Sequence, residues 1–201
     1  MKLYHCANAR SMRVVWALEE MALDYELVSL QFPPRVFHKD YKEVNPLGTV
    51  PFFIDGETTM TESAGVCEYL GVKYGPTPLA VTPAEKEYGA YLNWLHRSDA
   101  TLTFPQTLVF RYSLLEPEER RQPQVVEDYR VWFLGRWRSV EAGLKGRDYL
   151  CADRFTMADI CVGYALHFAK SLGIEEAFTP TVTKWWTRIT EREGYKKAAA
   201  T

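Results

Sequence analysis

NPLGTVPFFIDGETTMTES, Asn45 to Ser63, carries more local signals than any other stretch of the chain. Val50-Pro51 opens an apolar run, Pro51-Phe52-Phe53-Ile54, and proline is tolerated at the first residue of a strand. Asp55-Gly56 is a two-residue type I′ turn signal, so Glu57 to Met60 is predicted to return antiparallel on that strand. Thr61-Glu62-Ser63 follows, and Ala64 to Leu70 reads as the start of a helix. The residue before a proline is pushed into an extended conformation. Val50 can therefore offer its N–H and C=O to an extended ligand as an added strand would use them, and a cis bond to Pro51 would hold that edge outward. A helix start at Ser63 supplies unpaired N–H groups and a hydroxyl, suited to a carboxylate. Glu62 beside it supplies a negative charge for an ammonium group. Carboxylate and ammonium on one carbon make an amino-acid head group. Each piece also has a purely structural reading: Ser63 as an N-cap, Glu62 as a first-turn acid favoured by the helix dipole.

Toward the N-terminus, residues 2–6 are predicted as a strand and Ser11 to Glu20 as a helix, with Ser11 at the N-cap. Val14, Val15, Leu18, Met21 and Ala22 form its apolar stripe. Tyr25 to Leu30 alternates as a strand, which completes a βαβ unit with parallel strands. A looser helical stretch runs from about Val36 to Glu43, and the helix from Ser63 extends to about Tyr74. Gly75-Pro76-Thr77-Pro78 breaks the pattern. The boundary divides residues 1–76 from residues 83–201, and strand patterns disappear beyond it. Thr82-Pro83-Ala84-Glu85 is predicted to open a helix through Leu95, and Glu116-Pro117-Glu118-Glu119 another that runs to about Leu144. Thr156 and Asp159 have capping-box spacing, with Phe155 and Ile160 as the hydrophobic staple, so a buried helix follows from Ile160 to Ser171. The fold class is α/β in the first part and all-α in the second.

The chain has 201 residues, 47% of them hydrophobic and 25% charged, which is the balance of a globular protein with a substantial core. A net charge of −2 gives no electrostatic reason for a nucleic-acid or anionic-membrane partner. No apolar run approaches the ~20 residues needed to span a bilayer. The N-terminus reads as a strand without a signal-peptide core, so the expected location is the cytoplasm. Cys6, Cys67, Cys151 and Cys161 have no metal-ligand spacing with the histidines, so no metal is expected, and they read as free thiols. Cys6, at the end of the first strand, is kept as a redox candidate.

The ordered set N-P-L-G-T-V-P, hairpin, T-E-S, helix resembles the glutathione-binding segment of the glutathione S-transferase family. Phe155-Thr156-Met157-Ala158-Asp159-Ile160 is similar to the family's F-T-x-A-D-I capping motif, and Trp185-Trp186-Thr187-Arg188-Ile189 with Tyr195 to Ala198 to its usual C-terminal helix. The resemblance implies a thioredoxin-like glutathione-binding domain followed by an all-helical one, glutathione as co-substrate, and a homodimer. It implies that Val50, before a cis Pro51, pairs with the cysteinyl backbone of glutathione, and that Glu62 and Ser63 hold the γ-glutamyl end. Lys39, Arg35 and His38 lie in the segment that reaches the glycine carboxylate. Asp99 and His96 fall where some classes bring a polar residue from the partner subunit. The acceptor pocket is expected to be apolar and to form between the domains, with Phe104, Phe110, Arg111 and Tyr112 as its candidates.

The sulfur-activating group departs from familiar patterns. The thiolate is the nucleophile, and a free thiol with pKa near ~8.5 is mostly protonated at neutral pH. A hydroxyl donor at a helix N-terminus favours the ionised form. Met1-Lys2-Leu3-Tyr4 and Ala9-Arg10-Ser11 are similar to the bacterial beta class, with Arg10 in place of its reactive cysteine and the adjoining serine kept. The run Ala9 to Glu20 looks most like the bacterial and fungal branch called Gtt-like. The candidates are Ser11, then Arg10 as an electrostatic stabiliser, then Tyr4 and Cys6. Three activities stay open: transfer of glutathione to a small hydrophobic electrophile, glutathione binding without turnover, and a glutathione-dependent thiol reductase or peroxidase.

Overall fold

In the computed structural model, which describes residues 1–201, the first strand β1 (Lys2–His5) turns Leu3 and His5 inward and leaves Lys2 and Tyr4 half-buried. The helix α1 (Met12–Glu20) follows, and every residue from Met12 to Leu18 is buried. A helix enclosed on all sides is a central element, not a surface one. β2 (Glu26–Ser29) pairs parallel with β1, from Lys2 opposite Glu26 to His5 opposite Ser29. The single helix expected near 36–43 is instead two short ones, α2 (Pro34–Phe37) and α3 (Tyr41–Val44). The break falls at His38, whose backbone leaves the helical region (φ −126°, ψ 82°) and whose Nε2 accepts the Gln31 N–H at 3.0 Å.

β3 (Phe52–Asp55) runs antiparallel to β1, and β4 (Thr58–Met60) antiparallel to β3, giving the order β2-β1-β3-β4. The hairpin is present but its loop is shifted by one residue from the expected Asp55-Gly56. Asp55 faces Thr58, so the loop is Gly56-Glu57, and only Gly56 has a positive φ (+59°). Type I′ needs positive φ at both positions; glycine at the first alone is the II′ pattern. Asp55 is drawn instead to α4 (Ser63–Lys73) and the Tyr74 that follows it: its Oδ2 accepts from Tyr69 (2.8 Å), Lys73 (2.9 Å) and Tyr74 (2.6 Å). Those donors hold the carboxyl down at about 2. This order of elements is the thioredoxin-like arrangement.

The second unit, Val81–Ile189, contains helices only. α5 (Tyr88–Arg97) leads through a π-helical stretch, Ser98–Thr103, into α6 (Phe104–Phe110), and a second such stretch, Arg111–Leu115, follows. α7 (Pro123–Gly143) and α8 (Met157–Ser171) come next, then α9 (Pro180–Thr190). Two expected helix starts are corrected. Thr82 to Glu85 closes a turn, with the Glu85 carboxylate accepting the Thr82 N–H at 2.8 Å, and the helix begins only at Tyr88. Glu118–Arg120 is one 3₁₀ turn, and Pro123 takes the first position of α7. Gly143 is required where α7 meets the Trp94 ring, since a Cβ there would lie 2.7 Å from it. No helix is long and apolar enough to cross a membrane.

The expected helical domain 83–201 ends early. Thr190–Thr201 belongs to the first unit with Met1–Ala80, because α10 (Glu193–Ala199) packs on α1. The Arg192 guanidinium grips the Glu20 carboxylate through Nε (2.9 Å) and Nη2 (2.6 Å), and the Trp16 indole donates to the same carboxylate at 3.0 Å. Tyr195 meets Trp16 edge-on at 5.0 Å, and a Cβ on Gly194 would sit 2.7 Å from Glu20 Oε1.

Candidate functional site

The loop ahead of β3 is built around one carbonyl. Thr49 C=O accepts from the Tyr41 hydroxyl (2.8 Å) and from Asn45 Nδ2 (2.9 Å), both buried side chains. Asn45 Oδ1 takes the Leu47 N–H at 3.2 Å, an Asx turn. Gly48 sits at φ +61°, with Arg35 Cβ only 2.9 Å from where a Cβ would stand, so glycine is required there twice over. These contacts fix the chain just before Val50. The Val50-Pro51 bond is cis, and Val50 lies outside β3 with neither its N–H nor its C=O hydrogen-bonded within the fold. A free backbone edge is therefore held by a rigid loop.

α4 starts nearby in the chain. Glu62 is its N-cap residue, extended (φ −91°, ψ 110°) and exposed, and no side chain caps the helix. The first intrahelical bond runs from Val66 N–H to Glu62 C=O, so the N–H groups of Ser63, Ala64 and Gly65 have no acceptor within the helix. Ser63 is buried, and its Oγ accepts from Arg13 Nη1 at 2.9 Å. Three amide donors, a hydroxyl and a guanidinium thus converge at one helix mouth.

The β1–α1 loop holds the groups expected at the sulfur. Ser11 is fully buried and stands at the α1 N-cap, but its side chain does not cap the helix. Its Oγ accepts the Cys6 N–H (3.3 Å) and lies 2.9 Å from His5 Nδ1, while His5 Nε2 lies 3.2 Å from Thr201 Oγ1. Thr201 donates to the Ala198 carbonyl, so it accepts from His5 Nε2–H. Burial lowers the His5 pKa and keeps the ring neutral, which leaves Nδ1 as an acceptor for the Ser11 proton. The Ser11 hydroxyl is directed inward, not offered to a ligand. Cys6 is likewise fully buried, and burial pushes its thiol up to about 11, so the redox role considered for it has no accessible thiolate. Tyr4 packs between Tyr41 (5.4 Å) and Phe52 (6.0 Å). Arg10 is half-buried, and Asn8 is exposed at φ +58°.

Arg35 and Lys39 are exposed, and His38 is half-buried with Nε2 used by Gln31. In the second unit His96 is exposed at the end of α5 and Asp99 half-buried in the π-helical stretch. Phe110 meets Phe168 edge-on at 5.9 Å and is part of that unit's packing. Arg111 is tied to Glu116 at 2.7 Å and lies over the Tyr112 ring. Phe104 is the large apolar side chain of this set that is exposed. Arg13, Tyr41, Asn45 and Asn8 were not anticipated. The asparagines carried a signal, since Asn is the residue type of Asx turns and of positive φ; an arginine between Met12 and Val14 carried none.

Both halves match family models: the glutathione S-transferase N-terminal domain over residues 3–78 and the glutathione S-transferase C-terminal domain over residues 110–193. Glutathione S-transferase 3 of Schizosaccharomyces pombe is 26% identical, over 98% of this chain and 86% of its own length. Glutathione S-transferase 3 of Zea mays is 29% identical, over 94% and 87%. Among solved structures, the ternary complex of BphK, a bacterial GST, superposes with a TM-score of 0.87 at 25% identity, covering 100% of this chain and 98% of that one. The transferase URE2P6 of Phanerochaete chrysosporium, in complex with oxidized glutathione, gives 0.84 at 28% identity, over 98% and 93%.

Proposed function

We infer the activity from one premise: this chain belongs to the glutathione S-transferase family. It is an enzyme of that class, a glutathione transferase. In our reading it binds glutathione in the first unit, stabilises its thiolate and transfers it to a small hydrophobic electrophile. The observation that carries this reading is the pairing of an unused backbone edge at Val50 with an uncapped helix start at Ser63–Gly65. The edge matches what an extended cysteinyl residue needs. The helix mouth suits the γ-glutamyl carboxylate, and the exposed Glu62 its ammonium. Arg35 and Lys39 supply cations for the glycine carboxylate. Phe104 offers apolar surface on the acceptor side. A homodimer, with Asp99 or His96 reaching the partner's ligand, and a cytoplasmic location belong to the same proposal.

For the sulfur, Ser11 acts by shaping its loop. Asn8 and Arg10 are the side chains longer than alanine between Cys6 and Ser11, and we assign thiolate stabilisation to them with the α1 N-terminus. Titration calorimetry with glutathione tests binding, and the ultraviolet thiolate band of bound glutathione tests activation. Arg10→Met is expected to move the midpoint of that band to higher pH. No binding by the folded wild-type protein would refute the reading; binding with an unshifted band in Arg10→Met and Asn8→Ala would refute the assignment at the sulfur.

A further inference from the structure

Arg13 is fully buried in a run of apolar neighbours on α1, a position where leucine or methionine would fill the same space. Taking a guanidinium out of water costs several kcal/mol unless it is compensated locally. Its Nη1 donates to Ser63 Oγ at 2.9 Å, and one turn further along α4 the Cys67 thiol lies 3.6 Å from the Arg13 carbonyl. Two successive turns of α4 are thus registered against one residue of α1.

The direction of the first bond matters. A guanidinium can only donate, so Ser63 Oγ accepts there and its own proton must go elsewhere. Ser63 is the first residue of α4, after the N-cap Glu62, and its oxygen makes no bond to the helix's own first N–H groups. Here one of the two lone pairs of the oxygen accepts from Arg13, and the hydroxyl proton is left as a donor beside the N–H groups of residues 63–65, which lack helical acceptors. A full positive charge beneath the helix mouth adds to the partial charge of the helix dipole, and a polarised hydroxyl is a stronger donor.

We propose that Arg13 is the positioning residue of a carboxylate subsite at Ser63–Gly65, setting the donor direction of Ser63 and the preference for a ligand bearing the γ-glutamyl α-carboxylate without touching it. The inference rests on the reading of this helix mouth as part of the glutathione site.

The test compares two thiols by calorimetry: glutathione, and 4-aminobutanoyl-cysteinyl-glycine, which lacks only that carboxylate. The wild-type protein is expected to prefer glutathione. Arg13→Met should weaken glutathione binding about tenfold, the scale of one hydrogen bond to a charged group, and leave the analogue within about twofold. Arg13→Lys, which keeps the charge, should recover part of the preference. The proposal is overturned if folded Arg13→Met keeps the wild-type ratio of the two affinities, or loses both ligands equally. If Arg13→Met does not fold, the ratio in Arg13→Lys decides, and an unchanged ratio overturns the proposal. A wild-type protein that binds neither thiol removes the glutathione reading itself, a result distinct from these.

Discussion

The starts of α4 and α8 use the same physics to opposite ends. At α8 the donors are closed off by the protein: Thr156 Oγ1 accepts the Ala158 N–H (3.3 Å), and Asp159 Oδ2 accepts the Thr156 N–H (2.9 Å). Asp159 Oδ1 also takes the Leu150 N–H (3.1 Å) and the Trp185 indole (3.0 Å), so a buried carboxylate is shared by three segments. At α4 no side chain caps the helix, the acid of the N-cap residue faces solvent, and the buried charge beneath is a cation. One helix mouth contains its own anion; the other carries none and has a cation behind it. The lesson is that a closed and an open helix start differ less in their donors than in which sign of charge the fold buries behind them.

The comparison is most sharply tested at α8. Asp159→Ala strands four buried donors, the Thr156 and Leu150 N–H groups, the Trp185 indole and the Thr156 hydroxyl, each worth about 1–3 kcal/mol, so a loss above about 3 kcal/mol is expected in urea unfolding. A loss below about 1 kcal/mol would break the contrast. Burial pushes the Asp159 carboxyl up to about 6 from an ordinary 3.8, so between those values the folded chain holds a proton that the unfolded chain releases. Its contribution therefore falls as pH rises through that window. The stability gap between wild type and Asp159→Ala should narrow from about pH 4 to about pH 6. At α4 the expected effect is smaller and of another kind. Glu62→Ala should leave stability within about 0.5 kcal/mol and reduce glutathione affinity about fivefold, the upper range for an exposed ion pair. Equal effects on folding at both helix starts would erase the distinction. Asn45→Ala removes one of two donors to the Thr49 carbonyl and should cost about 1 kcal/mol of stability. Affinity should fall about two- to threefold through the loosened edge at Val50.

Local chemistry made one side of this comparison plain in the sequence. Thr156 and Asp159 are three residues apart, and the cap they form needs nothing but that spacing and an apolar staple. The Val50-Pro51 edge and the Ser63 helix start were legible for the same reason. What stayed hidden depends on partners far along the chain. The inward turn of Ser11 is set by His5, which is itself held by Thr201. The burial of Arg13 reflects the enclosure of α1 on every side, whereas its sequence shows an ordinary polar interruption in an apolar stripe. The hairpin loop was displaced by one residue because Asp55 is held by Tyr69, Lys73 and Tyr74 of α4 and its turn, a demand no turn propensity contains.

The grip of Arg192 on Glu20 has a consequence for how the protein is made. As the chain leaves the ribosome, α1 and its sheet emerge long before the helix that covers Trp16 and Glu20, and the whole second unit is synthesised in between. The half that emerges first is therefore the half completed last, and until the final turns arrive its central helix presents an indole and a carboxylate to whatever else is at the tunnel exit.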